Sequence, residues 1–273
     1  MASLSGDPGV LALGLAIAGI VSGLAAGMLG TGGSIVIVPI LYHVLATLGV
    51  EEGVRMHIAV GTSLAAIIPS CISTVAAQSR KGSPDWILVK QWATPMLAGV
   101  LVGAALAGFA GGRTLSLIFA AVALAIALHL AFGRQNLRLA ARLPQSPAGF
   151  AIPALVGGVS TMTGVDGTSI AVPVLALFGI PIPRAAAAAA AFGAIIAIPG
   201  TIGAVIAGWH ASGLPPYSFG YVNLVGFLLI APSTFLARFG AQIADQVDTK
   251  RMRTVFAIFI AIVTARMLFD ALA

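Results

Sequence analysis

The chain has 273 residues, of which 59% are hydrophobic and only 8% charged, and it carries a net charge of +6. A soluble domain holds roughly 25% charged residues, so the polar surface that a water-soluble globule needs is missing and the class is polytopic membrane protein. In that class the positive balance reads as basic loops on the cytoplasmic face, not as a nucleic-acid footprint.

The N-terminal run MASLSGDPGVLALGLAIAG has no Lys or Arg ahead of its apolar stretch. It lacks the basic start of a secretory signal and reads as a retained first helix. Apolar runs broken at polar or Gly/Pro clusters give ten spans in all. Five lie at 10–28, 34–48, 56–78, 86–110 and 114–132. After the basic stretch GRQNLRLAARLPQSP come 148–163, 168–180, 184–208, 218–238 and 252–272. The second span in each set of five is short. Residues 34–48 make a helix of about 22 Å and 168–180 one of about 20 Å, against a hydrocarbon core of about 30 Å.

Charge placement tests the count. If all ten spans cross, Arg80, Lys81, Lys90, Arg134, Arg138, Arg142, Arg184, Arg238, Lys250, Arg251 and Arg253 share one side. Only Arg55, Arg113 and Arg266 fall on the other. The basic side is cytoplasmic by the positive-inside rule, which puts both termini outside, in a bacterial-type inner membrane.

The two short spans follow matching glycine stretches, GMLGTGGSIVIVP at 27–39 and GVDGTSIAVPVL at 164–175. A shift of 134 places Gly23 on Gly157, Gly30 on Gly164, Gly33 on Gly167, Val38 on Val172, Pro39 on Pro173 and Leu41 on Leu175. A shift of 129 pairs Arg55 with Arg184, and one of 130 pairs Pro69 with Pro199. These landmarks describe two diverged copies of a five-helix unit, 1–133 and 148–273, joined by a basic linker at 134–147. Five is odd, so the second copy is inverted. The expected fold is all-α, about ten helices in two inverted five-helix repeats. Interrupted segments at matching positions of inverted repeats point to a transporter binding site.

Glycine lets the backbone come close to a ligand, and a helix N-terminus offers free N–H groups and partial positive charge to an anion. Gly30, Thr31, Gly32, Gly33, Ser34, Gly164, Asp166, Gly167, Thr168 and Ser169 are therefore candidate anion-site residues. Thr62, Ser63 and Ser70 on the third span join them, and Pro39, Pro69, Pro173 and Pro199 are candidate hinges. The bland alternative is close helix packing by small residues.

Asp166 is the acidic residue inside a membrane-embedded motif, where ionisable groups are costly. It reads either as the carrier of a coupling proton or as the N-cap of the seventh span. Arg55 and Arg184 read as interface anchors, as do Trp86, Trp92 and Trp209, and His57 and His129 as interfacial. Cys71 reads as a packing residue, and Asn223 as one candidate for lining the route.

The stretches SGLAAGMLGTGGSIVIVPIL and GGVSTMTGVDGTSIAVPVL, with VGTSL at 60–64, resemble the TauE/SafE family of sulfite and organosulfonate exporters. The second motif departs from the first by carrying Asp166 where Gly32 stands. The resemblance implies export of a small sulfur-containing anion. A proton and sodium are both open as the coupling ion. A channel and a sensor or assembly subunit are the rivals. No G-x-S-x-G or P-loop stretch points to an enzyme, and nothing in the sequence marks a metal or bound cofactor.

Overall fold

The computed structural model describes residues 34–81, 85–132, 147–230 and 249–272. Along them run α1 (Ser34–Thr47), α2 (Glu52–Lys81), α3 (Trp86–Phe109), α4 (Gly112–Phe132), α5 (Ala148–Thr163), α6 (Gly167–Leu177) and α7 (Ile182–Gly208). A two-stranded hairpin follows, β1 (Ser218–Phe219) and β2 (Val222–Asn223), then the short α8 (Leu224–Ile230) and α9 (Thr249–Leu272). The expected first span at 10–28, the linker at 134–146 and the candidates Gly30, Thr31, Gly32 and Gly33 lie outside the described residues.

The segments Glu52–Ala76, Trp86–Phe109, Gly112–Ala131 and Arg184–Gly208 are long and apolar enough to cross a membrane. The helices expected to be short are short: α1 has 14 residues and α6 has 11. Their lengths are about 21 Å and 16 Å at 1.5 Å per residue, well under a bilayer core.

Local chemistry sets the helix ends. Asp85 caps α3 by accepting from the Leu88 N–H at 3.3 Å, and Pro183 sits in the first turn of α7, where a missing N–H costs nothing. Gly164 closes α5 in the left-handed region, φ +66°, with its N–H returning to the Ser160 carbonyl.

The ninth span differs from expectation. Its first six residues, 218–223, form the hairpin, with Ser218 opposite Asn223 and Phe219 opposite Val222. Helix begins only at Leu224, and 231–238 lies outside the described residues. Gly220, at φ +55°, makes the turn, and Asn223 accepts from the Gly226 N–H at 2.9 Å to start α8. A hydropathy window averages over such a turn and reads the stretch as one helix.

Helix α2 is the centre of the packing. Of its most apolar window 61% is buried, against 33% for α3 and for α4. It packs across α7 and against α1 and α4, while α9 lies on α4 and touches α1. Helix α3 lies along α5 and also meets α7. The α3–α5 seam is close enough that a Cβ at Gly99 would fall 1.8 Å from the Ala154 carbonyl oxygen. At Gly103 it would fall 2.5 Å from that of Gly158. Such small-residue seams are how helices associate where lipid removes the hydrophobic drive.

Two side chains expected at the interface lie inside. Trp92 is buried and stacks on Phe192, ring centroids 5.4 Å apart, because α3 and α7 meet there. His57 is buried too, its Nε2 between the Ala107 and Ala110 carbonyls at 3.1 and 2.9 Å, where the end of α3 turns over α2. Large apolar side chains instead face outward along α3 (Leu101, Val102, Leu106), α7 (Ile198, Ile202, Ile206) and α9 (Val255, Ile258, Ile262), forming a surface suited to lipid.

A Cβ at Gly112 would meet the carbonyls of Glu52 and Gly53, and one at Gly213 would meet the Glu51 carboxylate, so these loops share one end. Asp85 and Arg184, which belong to loops expected at the basic end, form an ion pair with each other.

Candidate functional site

Helices α1 and α6 both stop short, and their N-termini meet. Ser34, the first residue of α1, donates its hydroxyl to Asp166 Oδ1 at 3.2 Å. The Asp166 N–H donates back to Ser34 Oγ at 2.7 Å. This reciprocal pair ties together two glycine motifs 132 residues apart.

Asp166 is also the N-cap of α6, accepting at Oδ1 from the Ser169 N–H at 3.3 Å and the Ser169 hydroxyl at 2.7 Å. The Thr168 hydroxyl donates to Oδ2. The carboxylate therefore collects three hydroxyls and one backbone N–H while the residue is only 3% exposed. No lysine, arginine or histidine among the described residues forms an ion pair with it. Two helix dipoles, each equivalent to about half a positive charge at its N-terminus, supply the compensation instead.

The break between α5 and α6 is held by α2. Ser63 donates its hydroxyl to the Gly164 carbonyl at 2.9 Å, both groups buried. A Cβ at Gly164 would come within 3.0 Å of the Val60 Cα and 3.2 Å of Val38 Cγ2. Glycine is needed there for the φ and for the close approach of α2 together. At Gly167 a Cβ would meet Ile196 Cδ1 at 2.9 Å and Phe192 Cβ at 3.3 Å, so α7 closes that side.

Of the expected site residues, Ser34, Ser63, Gly164, Asp166, Gly167, Thr168 and Ser169 come together here. Thr62, the neighbour of Ser63, turns to a different partner: its Oγ1 accepts from the Asn223 N–H at 3.0 Å. Ser70 lies further along α2, half-buried, and its carbonyl serves Thr74 at 2.8 Å. Pro39, Pro69, Pro173 and Pro199 lie inside α1, α2, α6 and α7.

Thr62 and Asn223 line a cavity of about 450 Å³ between α1, the start of α2, the loop at 213–217 and α8. Its other walls are apolar, among them Leu41, Leu45, Ile58 and Val225. Asn223 earns more than one-route status: its Nδ2 donates to the Pro216 carbonyl and to Ser218 Oγ at 3.2 and 3.0 Å, so it fixes the hairpin as well as the start of α8. Ser160 was not singled out by its sequence. It is buried, its carbonyl takes the N–H groups of Gly164 and Val165, and its Oγ has no hydrogen-bond partner among the described residues. Its signal is position, four residues before the glycine that ends α5. Among the described residues, no three His, Cys, Asp or Glu side chains gather as a metal site would need.

The profile of the sulfite exporter TauE/SafE family matches residues 15–267. The chain belongs to that family. This TauE/SafE member is 29% identical over 254 residues to a probable membrane transporter protein of Haemophilus influenzae, covering 92% of this chain and 96% of the relative. It is 24% identical over 277 residues to the probable membrane transporter protein YunE of Bacillus subtilis, covering 94% and 97%. A probable membrane transporter protein of Methanocaldococcus jannaschii is 22% identical over 256 residues, covering 93% and 94%. No solved structure matches. With its family and its long apolar helices, the TauE/SafE chain is a multi-pass membrane protein.

Proposed function

We propose that this chain is a secondary transporter that exports a small sulfur-containing anion, such as sulfite or an organosulfonate, across the cytoplasmic membrane. The anion seat is the junction where α1 and α6 begin. The observation that carries this reading is the Ser34–Asp166 link between two short-helix N-termini. Backbone N–H groups and hydroxyls converge there without a fixed cation, a chemistry suited to binding an anion weakly enough to release it.

The two halves are inverted five-helix repeats, and access to the seat alternates between the two faces. Equivalent packing supports this: α1 lies on α2 as α6 lies on α7, and α2 crosses α7. The prolines of α1, α2, α6 and α7 act as hinges, because each removes a backbone hydrogen bond. Both termini lie outside the cytoplasm.

Purified protein in proteoliposomes tests the reading. Saturable uptake of radiolabelled sulfite is expected, with other small anions competing. Replacing Gly167 by leucine should abolish uptake while the protein stays folded and inserted. Uptake that survives this change, and its counterpart at Gly33, would remove the seat from the junction; single-channel currents in place of saturable flux would make the protein a channel.

A further inference from the structure

We infer that Asp166 is a resident anion: its carboxylate occupies the seat formed by the two helix starts, and a substrate anion enters only when that charge is neutralised by a proton or withdrawn. The inference rests on the anion-seat reading above and adds how the seat is regulated.

The argument is a count of donors. A serine or threonine hydroxyl has one proton to give. The protons of Ser34 and Ser169 are both committed to Asp166 Oδ1, and a proton of Thr168 goes to Oδ2. The Ser169 N–H is committed to Oδ1 as well. An arriving anion thus meets donors already spent on an internal one, and a second negative charge beside the first. Among the described residues, nothing basic pairs with Asp166 to offset that repulsion. Helix α1 contributes Ser34, α2 contributes Ser63 and, against Gly193, the Cys71 thiol, and α7 contributes Phe192, Gly193 and Ile196 beside Gly167. The end of α5 contributes the Gly164 carbonyl and Ser160. All these are uncharged or apolar, and Cys71 is the titratable group among them.

A proton on Asp166 changes both terms. It removes the charge, and it turns one carboxyl oxygen from acceptor to donor. The released hydroxyls then face the arriving anion, so anion and proton occupy the junction together. The lock comes from one half of the chain, because Gly32 stands at the position in the first motif that Asp166 holds in the second.

The test compares wild type with Asp166→Asn and Asp166→Glu in proteoliposomes, using methanesulfonate and sulfate, whose charges are constant across the neutral range, beside sulfite. Asparagine caps a helix as well as aspartate does, so Asp166→Asn should keep α6 capped while the Thr168 hydroxyl loses its Oδ2 acceptor, and thermal melting in detergent checks that it folds. Wild type should show a KM that falls as the pH is lowered. Asp166→Asn should have a KM about tenfold lower at neutral pH, in the range of competing-ligand couplings, with no pH dependence; Asp166→Glu should keep it. If Asp166→Asn does not fold, Asp166→Ser, which also caps, reads the same quantity. If sulfite alone is carried, the KM difference between variants at one pH decides. Wild-type flux with an unchanged KM in a folded Asp166→Asn overturns the resident-anion inference alone, as does a folded Asp166→Asn that no longer takes up anion. Absence of saturable anion uptake in wild type and every variant overturns the anion seat and this inference with it.

Discussion

Helices α2 and α7 each follow a short helix, α1 and α6, and pack against each other, yet they are built differently. Helix α2 presents Thr62 and Ser63, which bond the two places where neighbouring chain leaves helical form: the Asn223 N–H at the hairpin and the Gly164 carbonyl before α6. Helix α7 presents Ala185, Ala188, Ala189 and Ala190, all buried, and its Thr201 bonds the Ala197 carbonyl of its own helix at 2.6 Å. One helix satisfies the broken backbone around it; the other brings its neighbours close. Irregular backbone at membrane depth needs the first service, and it can be reached only if the second is also done.

The largest break in this comparison is at the chain break itself. Gly164→Val should destabilise by about 3 kcal/mol or more, since a branched side chain must adopt a left-handed φ against immovable Val60 backbone. Thermal unfolding in detergent should show it. Next is Ser63→Ala, expected to cost about 1–2 kcal/mol because it leaves the buried Gly164 carbonyl unpaired. Thr201→Ala on α7 should cost less than about 0.5 kcal/mol, because that hydroxyl only doubles up on a helical carbonyl. Equal losses at the two sites would erase the distinction drawn between the helices.

Closeness on α7 can be probed at Gly193, where a Cβ would fall 2.3 Å from Cys71 Sγ. Gly193→Ala should cost about 1 kcal/mol of overpacking, and adding Cys71→Ala should restore most of it in a double-mutant cycle. A small, pH-dependent effect is expected at the Asp85–Arg184 pair. Burial raises the Asp85 carboxyl, but the Arg184 hydrogen bond and charge and the Leu88 and Ile87 N–H groups outweigh it and hold the pKa below its ordinary value. A depressed folded pKa means the contribution is present above the ordinary carboxylate value of about 3.9 and lost as pH falls through the folded one. With Arg184 62% exposed, solvent screening limits it to at most about 1 kcal/mol. The melting difference between wild type and Asp85→Asn should therefore vanish in acid.

Much of this was written in local sequence. Boundaries such as 148–163 and 86–110 follow from hydropathy and glycine or proline punctuation, and α5 and α3 occupy Ala148–Thr163 and Trp86–Phe109. The contact of Ser34 with Asp166 is what the expected repeat would give, because matched interruptions in inverted copies have one place to meet. The hairpin at 218–223 was hidden, since strands of two residues have no period to detect. Trp92 and His57 were misplaced at the interface because a position near a span end does not say whether another helix covers it. Thr62 and Ser63 were separable only in three dimensions: adjacent residues on a helix point about 100° apart, so one faces the hairpin and the other the junction.

The seam between α3 and α5 has a mechanical consequence. These helices sit on opposite sides of the linker, one in each sequence half, and Gly99 and Gly103 let their backbones interlock. A rocking motion that treated 1–133 and 148–273 as two rigid bodies would have to shear this seam. Under the proposed alternating access, the moving parts are therefore cut across the halves, with α3 and α5 travelling as one beam. A pivot about the junction of α1 and α6 would then work against a frame that both sequence halves help to build.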